Sequence, residues 1–185
     1  MSQIKIAVVV GSLRKDSFNK NLAAALAKMA PADVVFENVR LDDLPHYNQD
    51  DDSAPTAEVT RLRNQITASH AVLFLTPEYN RSIPGVLKNA IDLASRPWGK
   101  STWKGKPAGV IGMTVSPMGT SMAQQHLRNI LAYLDMPTLG QPEIFLTNKE
   151  GFFNADGSLN ESTAKFMQNW MDVYVAFIKK FLQAV

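Results

Sequence analysis

Three short runs of this 185-residue chain are apolar almost throughout: Ile4 to Val10 (IKIAVVV), Ala71 to Thr76 (AVLFLT) and Pro107 to Thr114 (PAGVIGMT). A strand with one wet face alternates polar and apolar residues, whereas a strand without alternation is covered on both sides. These runs therefore predict a parallel sheet between two helix layers. The segments between them supply the helices. Lys20 to Met29 places Leu22, Leu26 and Met29 at helical spacing, and Ala57 to Ser69 gives a second helix. Pro84 to Ser95 sets Val86, Leu87, Ala90, Ile91 and Ala94 on one face with a proline in the first turn, where a helix tolerates it. Ser121 to Leu134 is a long amphipathic helix. Leu159 to Leu182 is the last, its stripe of Phe166, Trp170, Val173, Phe177 and Phe181 read as core. Two further strands are Val34 to Leu41, less apolar and so assigned to an edge, and Glu143 to Leu146. Asp42 to Thr56, with Pro45 and Pro55 and Pro31 just upstream, reads as a long polar connection. Five strands alternating with five helices, with no linker composition and no repeat, predict one three-layer α/β domain over residues 1–185.

Composition narrows the function. Basic residues exceed acidic ones by two and no long run of like charge occurs, so there is no footprint for nucleic acid or membrane. No stretch approaches the roughly 18 apolar residues of a membrane span, and Met1 to Lys5 leads into the first strand without a secretory pattern. A cytoplasmic protein is expected, with small molecules or copies of itself as partners. The absence of cysteine excludes disulfides, thiolate metal sites and a cysteine nucleophile, and with the last a phosphatase of similar topology. A receiver domain needs acidic residues at the end of the first strand, where Val10, Gly11 and Ser12 stand. His46 to Asp52 (HYNQDDD) fits no calcium-loop spacing and is read as a solvated loop, so no metal is assigned. His126 is read as structural, and Trp98 and Trp103 as packing residues in the loop from Arg96 to Lys106 rather than walls of an acceptor site.

In sheets of this kind ligands lie beyond the carboxyl ends of the strands. The first loop there is GSLRKDSFNKNL, Gly11 to Leu22. It leads from a strand into a helix N-terminus, where backbone N–H groups and the helix dipole favour an anion. Ser12, Ser17 and Asn19 add uncharged donors and Arg14 a forked cation, a set suited to a phosphate monoester. The bland alternative is a solvated turn in which Ser17 or Asn19 caps the helix. Neither the Walker spacing nor G-x-G-x-x-G is present. A second loop, TPEYNRSIPG from Thr76 to Gly85, is stiffened by Pro77 and Pro84 and offers Tyr79 as a flat face and free amides to a ligand. The alternative there is that Tyr79 packs on a neighbouring loop and Glu78 is solvated. A third, TVSPMGTS from Thr114 to Ser121, brings Ser116 and Gly119 to the same edge.

Three such loops on a five-stranded sheet resemble flavodoxin. More specifically, GSLRKDSFNKNL and PEYNRSIPGVLKNAID resemble the paired motifs of the NADPH-dependent FMN reductases, a family that includes bacterial quinone, chromate and azo-dye reductases. The resemblance runs from Ile4 to about Pro142 and takes in HLR at His126 to Arg128 and QPE at Gln141 to Glu143. It implies a flavodoxin-like sandwich whose parallel sheet has the order 2-1-3-4-5. It also implies that Ser12, Arg14, Ser17, Phe18 and Asn19 surround the phosphate and ribityl chain of FMN. Pro77, Glu78, Tyr79 and Asn80 would line the isoalloxazine, largely through backbone amides, and Ser116 and Gly119 would approach it from the third loop. The implied activity carries hydride from NADPH or NADH to the flavin, and thence to quinones, azo compounds or other electron-poor acceptors in a ping-pong cycle, with no catalytic side chain nominated. A homodimer or homotetramer is implied as well. Relatives near the quinone and chromate reductases carry a glycine pair, an arginine and a tyrosine before HLR, where this chain has Met122, Ala123, Gln124 and Gln125. Two alternatives are a reductase that uses FMN as a diffusible substrate and a flavodoxin-like electron carrier, the latter disfavoured by the net charge of +2.

Overall fold

A computed structural model describes residues 3–183. Its strands are Ile4–Val10 (β1), Val34–Asn38 (β2), Ala71–Leu75 (β3), Ala108–Thr114 (β4) and Ile144–Thr147 (β5). Its helices are Phe18–Met29 (α1), Ala57–Ala68 (α2), Gly85–Ala94 (α3), Ser121–Tyr133 (α4) and Glu161–Leu182 (α5). All four strand pairings are parallel and the order is β2-β1-β3-β4-β5, with Ile6 opposite Ala71, Val72 opposite Ala108 and Ile111 opposite Ile144. This is the flavodoxin-like doubly wound order. It sends successive strands to opposite sides of β1, so the loops after β1, β3 and β4 meet at one edge.

Alternation along each strand divides the core in two. Ile6, Val8, Leu73 and Ile111 pack with Leu22 and Leu26 of α1 and with Trp170 and Tyr174 of α5. Ala7, Val9, Val72 and Phe74 face the other way, onto Leu62 and Ile66 of α2, Leu87 and Ile91 of α3 and Leu127 of α4. Trp103 belongs to this second core, fully buried at 5.7 Å from the Phe74 ring, with its indole N–H donating to the Ile91 carbonyl at 2.9 Å. Trp98 lies on the surface.

Element ends shift for local reasons. Ser17 takes the N-cap of α1, accepting weakly from the Lys20 N–H at 3.4 Å, so the helix begins two residues before its apolar pattern does. β2 stops at Asn38, not Leu41. The Val39 N–H still reaches the Val8 carbonyl, after which the chain peels away and buries Val39 and Leu41 in the second core. A 3-10 turn, Gln49–Asp51, interrupts the expected polar connection, its start capped by Asn48. β5 runs one residue later than expected, to Thr147.

The stripe on α5 is a correction. Phe166 is exposed and Val173, Phe177 and Phe181 are half-buried; the core face is Met167, Trp170, Met171, Tyr174, Val175 and Ile178. That face lies about a quarter-turn round the helix from the aromatic stripe. Shape and polarity decide the matter: Trp170 stacks on Tyr174 at 5.1 Å, and the Tyr174 hydroxyl donates to the buried Val72 carbonyl at 2.8 Å. A phenol with its O–H satisfied is a good core residue. Burial pushes the Tyr174 phenol far above its ordinary pKa. Among the described residues no helix is long and apolar enough to cross a membrane.

Candidate active site

The turn from β1 into α1 leaves a run of backbone donors unused. Among the described residues, the N–H groups of Ser12 to Asn19 meet no protein acceptor. Ser12 and Ser17 are buried nonetheless and line a cavity of about 200 Å³. Arg14 is exposed, lies over the Phe18 ring at 5.3 Å, and spends one bond on the Asp16 carbonyl at 3.1 Å. Unmet amides at a helix N-terminus, two hydroxyls and a guanidinium form a donor set that matches a phosphate dianion.

Asn19 has another task. Its Nδ2 donates to the Met113 carbonyl at 2.9 Å, its Oδ1 accepts from the Met113 N–H at 3.0 Å, and the residue is buried. The Thr76 N–H donates to the Ile111 carbonyl, so Ile111 faces β3, and Met113, two residues on, faces the same side. There β3 has ended, and the Glu78 N–H, the next donor on that side after Thr76, makes no bond to Met113. The carboxamide of Asn19 takes the place of the missing strand peptide, which closes the ladder and fastens the first loop to β4.

The second loop folds back on itself. Tyr79 and Ser82 exchange backbone hydrogen bonds at 3.0 Å across Asn80 and Arg81, whose φ angles are 51° and 65°, the two left-handed residues of a type I′ turn. The Tyr79 amide is spent in this turn and Pro77 has none, so the free amides are those of Glu78, Asn80 and Arg81. Glu78 is not solvated: its Oε2 accepts from the N–H groups of Met122 and Ala123 at 3.0 and 3.1 Å. Ser82 Oγ lies 2.7 Å from His126 Nδ1, a contact between this turn and α4.

The third loop is shaped by tight packing. A side chain on Gly112 would strike the Thr76 carbonyl and the Thr120 hydroxyl, so this glycine is where the end of β3 and the third loop close up. Gly119, at φ 57°, lies against the Phe145 backbone, and a Cβ there would come within 2.7 Å of it. Thr120 is also left-handed, at φ 69°, an unusual state for a β-branched residue. It is held by Gln124, whose Nε2 donates to Thr120 Oγ1 at 3.0 Å and to the Ile144 carbonyl at 2.7 Å. Gln124 belongs to the stretch that departs from the family pattern, and here it ties the loop to β5. Ser116 braces the loop as well, with Oγ accepting from the Met118 N–H at 3.3 Å.

Of the residues expected from the sequence, Ser12, Arg14, Ser17, Phe18, Asn19, Pro77, Glu78 and Tyr79 line one cavity, while Asn80, Ser116 and Gly119 shape the turns beside it. Met113, Thr114 and Val115 line it too, and sequence reasoning missed them. Thr114 and Val115 open the third loop already read at this edge, though neither was singled out there, and Met113 is the last-but-one residue of β4. Leu13, Tyr79, Val115, Met118 and Met122 form an exposed apolar rim on these loops and the first turn of α4. Exposed apolar side chains gathered at one place mark a binding surface.

The sequence model of the NADPH-dependent FMN reductases matches residues 4–151. The chain belongs to this family. A 2-hydroxy-1,4-benzoquinone reductase of a Burkholderia species is 50% identical over 177 residues, 95% of this chain and 97% of the relative. A quinone reductase of Pseudomonas putida is 45% identical over 181 residues, 97% of each chain. FerB of Paracoccus denitrificans, a flavoenzyme NAD(P)H:(acceptor) oxidoreductase of known structure, superposes with a TM-score of 0.92 at 45% identity, covering 96% of this chain and 98% of that one. FMN and NAD(P)H are accordingly the cofactors of an NADPH-dependent FMN reductase such as this one. The donor set of the first loop fits the flavin's phosphate, and the apolar rim fits a flat ring.

Proposed function

We propose that the 185-residue chain works as one flavodoxin-like FMN-binding domain that carries hydride from NAD(P)H by way of FMN to quinones and other electron-poor acceptors, azo compounds among them. The observation that carries this reading is the run of unpartnered N–H groups from Ser12 to Asn19, set beside a loop edge rimmed by exposed apolar side chains. FMN, when bound, supplies two-electron hydride chemistry. Ser12, Ser17 and Arg14 would hold its phosphate with the first-loop amides, and the free amides of Glu78 and Asn80 would meet the polar edge of its ring. Leu13, Tyr79, Val115 and Met122 would keep water from the exposed ring face and admit a flat acceptor. The set contains no paired acid and base, and none is required where the transferred group is a hydride.

A homo-oligomer belongs to the same proposal. Between α3 and α4 runs a groove of about 680 Å³, flanked by Trp98 and Tyr133 at 77% and 75% exposure and edged by Lys88 and Asp92. A two-fold contact requires a patch complementary to itself, and an apolar groove bearing both charges meets that condition. NAD(P)H is an intracellular reductant, and a cytoplasmic place of work is part of the reading.

The test is the visible absorbance of the purified protein before and after anaerobic NADPH or NADH. A flavin spectrum that bleaches on reduction and returns on addition of p-benzoquinone is the expected result. A colourless protein that takes up no added FMN overturns the reading.

A further inference from the structure

Glu78 stands in the second loop, yet its side chain is only 10% exposed and points at α4. The first N–H groups of any helix lack intrahelical partners. In α4 the residue before the first turn, Thr120, is left-handed and provides no side-chain cap. A carboxylate 44 positions upstream fills that place, its Oε2 receiving both Met122 and Ala123. Further along α4, Ser82 Oγ meets His126. The turn from Tyr79 to Ser82 thus hangs between two fastenings on one helix, and the free amides of Glu78 and Asn80 lie on the segment so held.

We propose that Glu78 is a positioning residue for the flavin: its Oε2 docks the second loop on α4 and so sets the place of the backbone donors that receive the ring. The proposal rests on reading the cavity as the FMN site. Reach, and not charge, is what the geometry uses. Both bonds fall on a single oxygen, while the second carboxylate oxygen has, among the described residues, only Arg81, 3.5 Å away and 68% exposed. A glutamine amide oxygen can accept the same two bonds. An aspartate keeps the charge and falls short by one methylene.

The test compares FMN binding to the apoproteins of wild type, Glu78→Gln, Glu78→Asp and Glu78→Ala, read by quenching of flavin fluorescence, with a thermal melt of each apoprotein. Glu78→Gln is expected to bind within about 3-fold of wild type, and Glu78→Asp and Glu78→Ala to bind about 10-fold or more weakly, the loss that follows when a docking hydrogen bond is removed. Two results overturn the proposal. One is an alanine variant that melts earlier but binds FMN as tightly as wild type, which would make Glu78 a helix cap and nothing more. The other is a glutamine variant as weak as aspartate or weaker, because full reach would then fail to preserve binding. Should the alanine protein fail to fold, the order of glutamine above aspartate decides alone. Wild-type apoprotein that takes up no FMN would instead bring down the reading of the cavity and the proposal with it.

Discussion

Asn19 shows how a single side chain can be legible in type and hidden in purpose. Its position in the loop before a helix made it a donor candidate, and the structure spends both of its polar atoms on the Met113 peptide. No local pattern announces a partner 94 positions away, because periodicity reports which face is buried and not what a polar group finds there. The same holds for Glu78, whose partners lie on a helix its own loop never touches in sequence. Asn19→Asp is informative because it changes one atom. The Met113 carbonyl would lose its donor and face a buried carboxylate, so stability should fall by about 3 kcal/mol. Urea unfolding checks it, and a midpoint unchanged from wild type would mean that the pairing contributes nothing.

Among elements, the strands were the easier reading. Uninterrupted apolar runs have one explanation in a chain of this size, and β1, β3 and β4 fall where those runs lie. Helix α5 was harder because two apolar stripes a quarter-turn apart compete on it, and hydrophobicity alone does not choose between them. The winner holds the aromatic pair that fits the sheet and a hydroxyl with somewhere to go. Tyr174→Phe should therefore cost about 1 to 2 kcal/mol by leaving the Val72 carbonyl without this donor. Phe166→Ser, on the stripe that looked like core, should change stability by less than about 0.5 kcal/mol, as surface substitutions do. Thermal melts of the two variants side by side discriminate between the stripes; a large loss at Phe166 would contradict the packing described above.

For the whole molecule, the alternation of strands and helices gave the layers, while the strand order came through resemblance and not through periodicity. The face we propose for a second copy was not legible at all, since the groove between α3 and α4 exists only once both helices are packed. Replacing Trp98 by alanine together with Tyr133 by serine should reduce the mass found by light scattering to that of a monomer; an unchanged oligomer would move the interface elsewhere. Acid should act through outlying pairs. The Lys179 hydrogen bond holds Asp33 below the usual carboxylate range, and the Arg40 hydrogen bond does the same for Asp42. A depressed carboxylate stabilises the fold fully above its unfolded value, near about 3.9, and loses that contribution as pH falls through the lower folded value. Melting temperatures should be flat in this respect from neutral pH to about 5 and decline below about 4. The clasp between Asn19 and Met113 also has a meaning in time. A chain leaves the ribosome from its amino end at roughly 5–20 residues per second, so the first loop emerges many seconds before the peptide that secures it. On the proposed reading of that loop as the flavin's phosphate site, loading of FMN should wait until β4 has been made and the Asn19 clasp has closed.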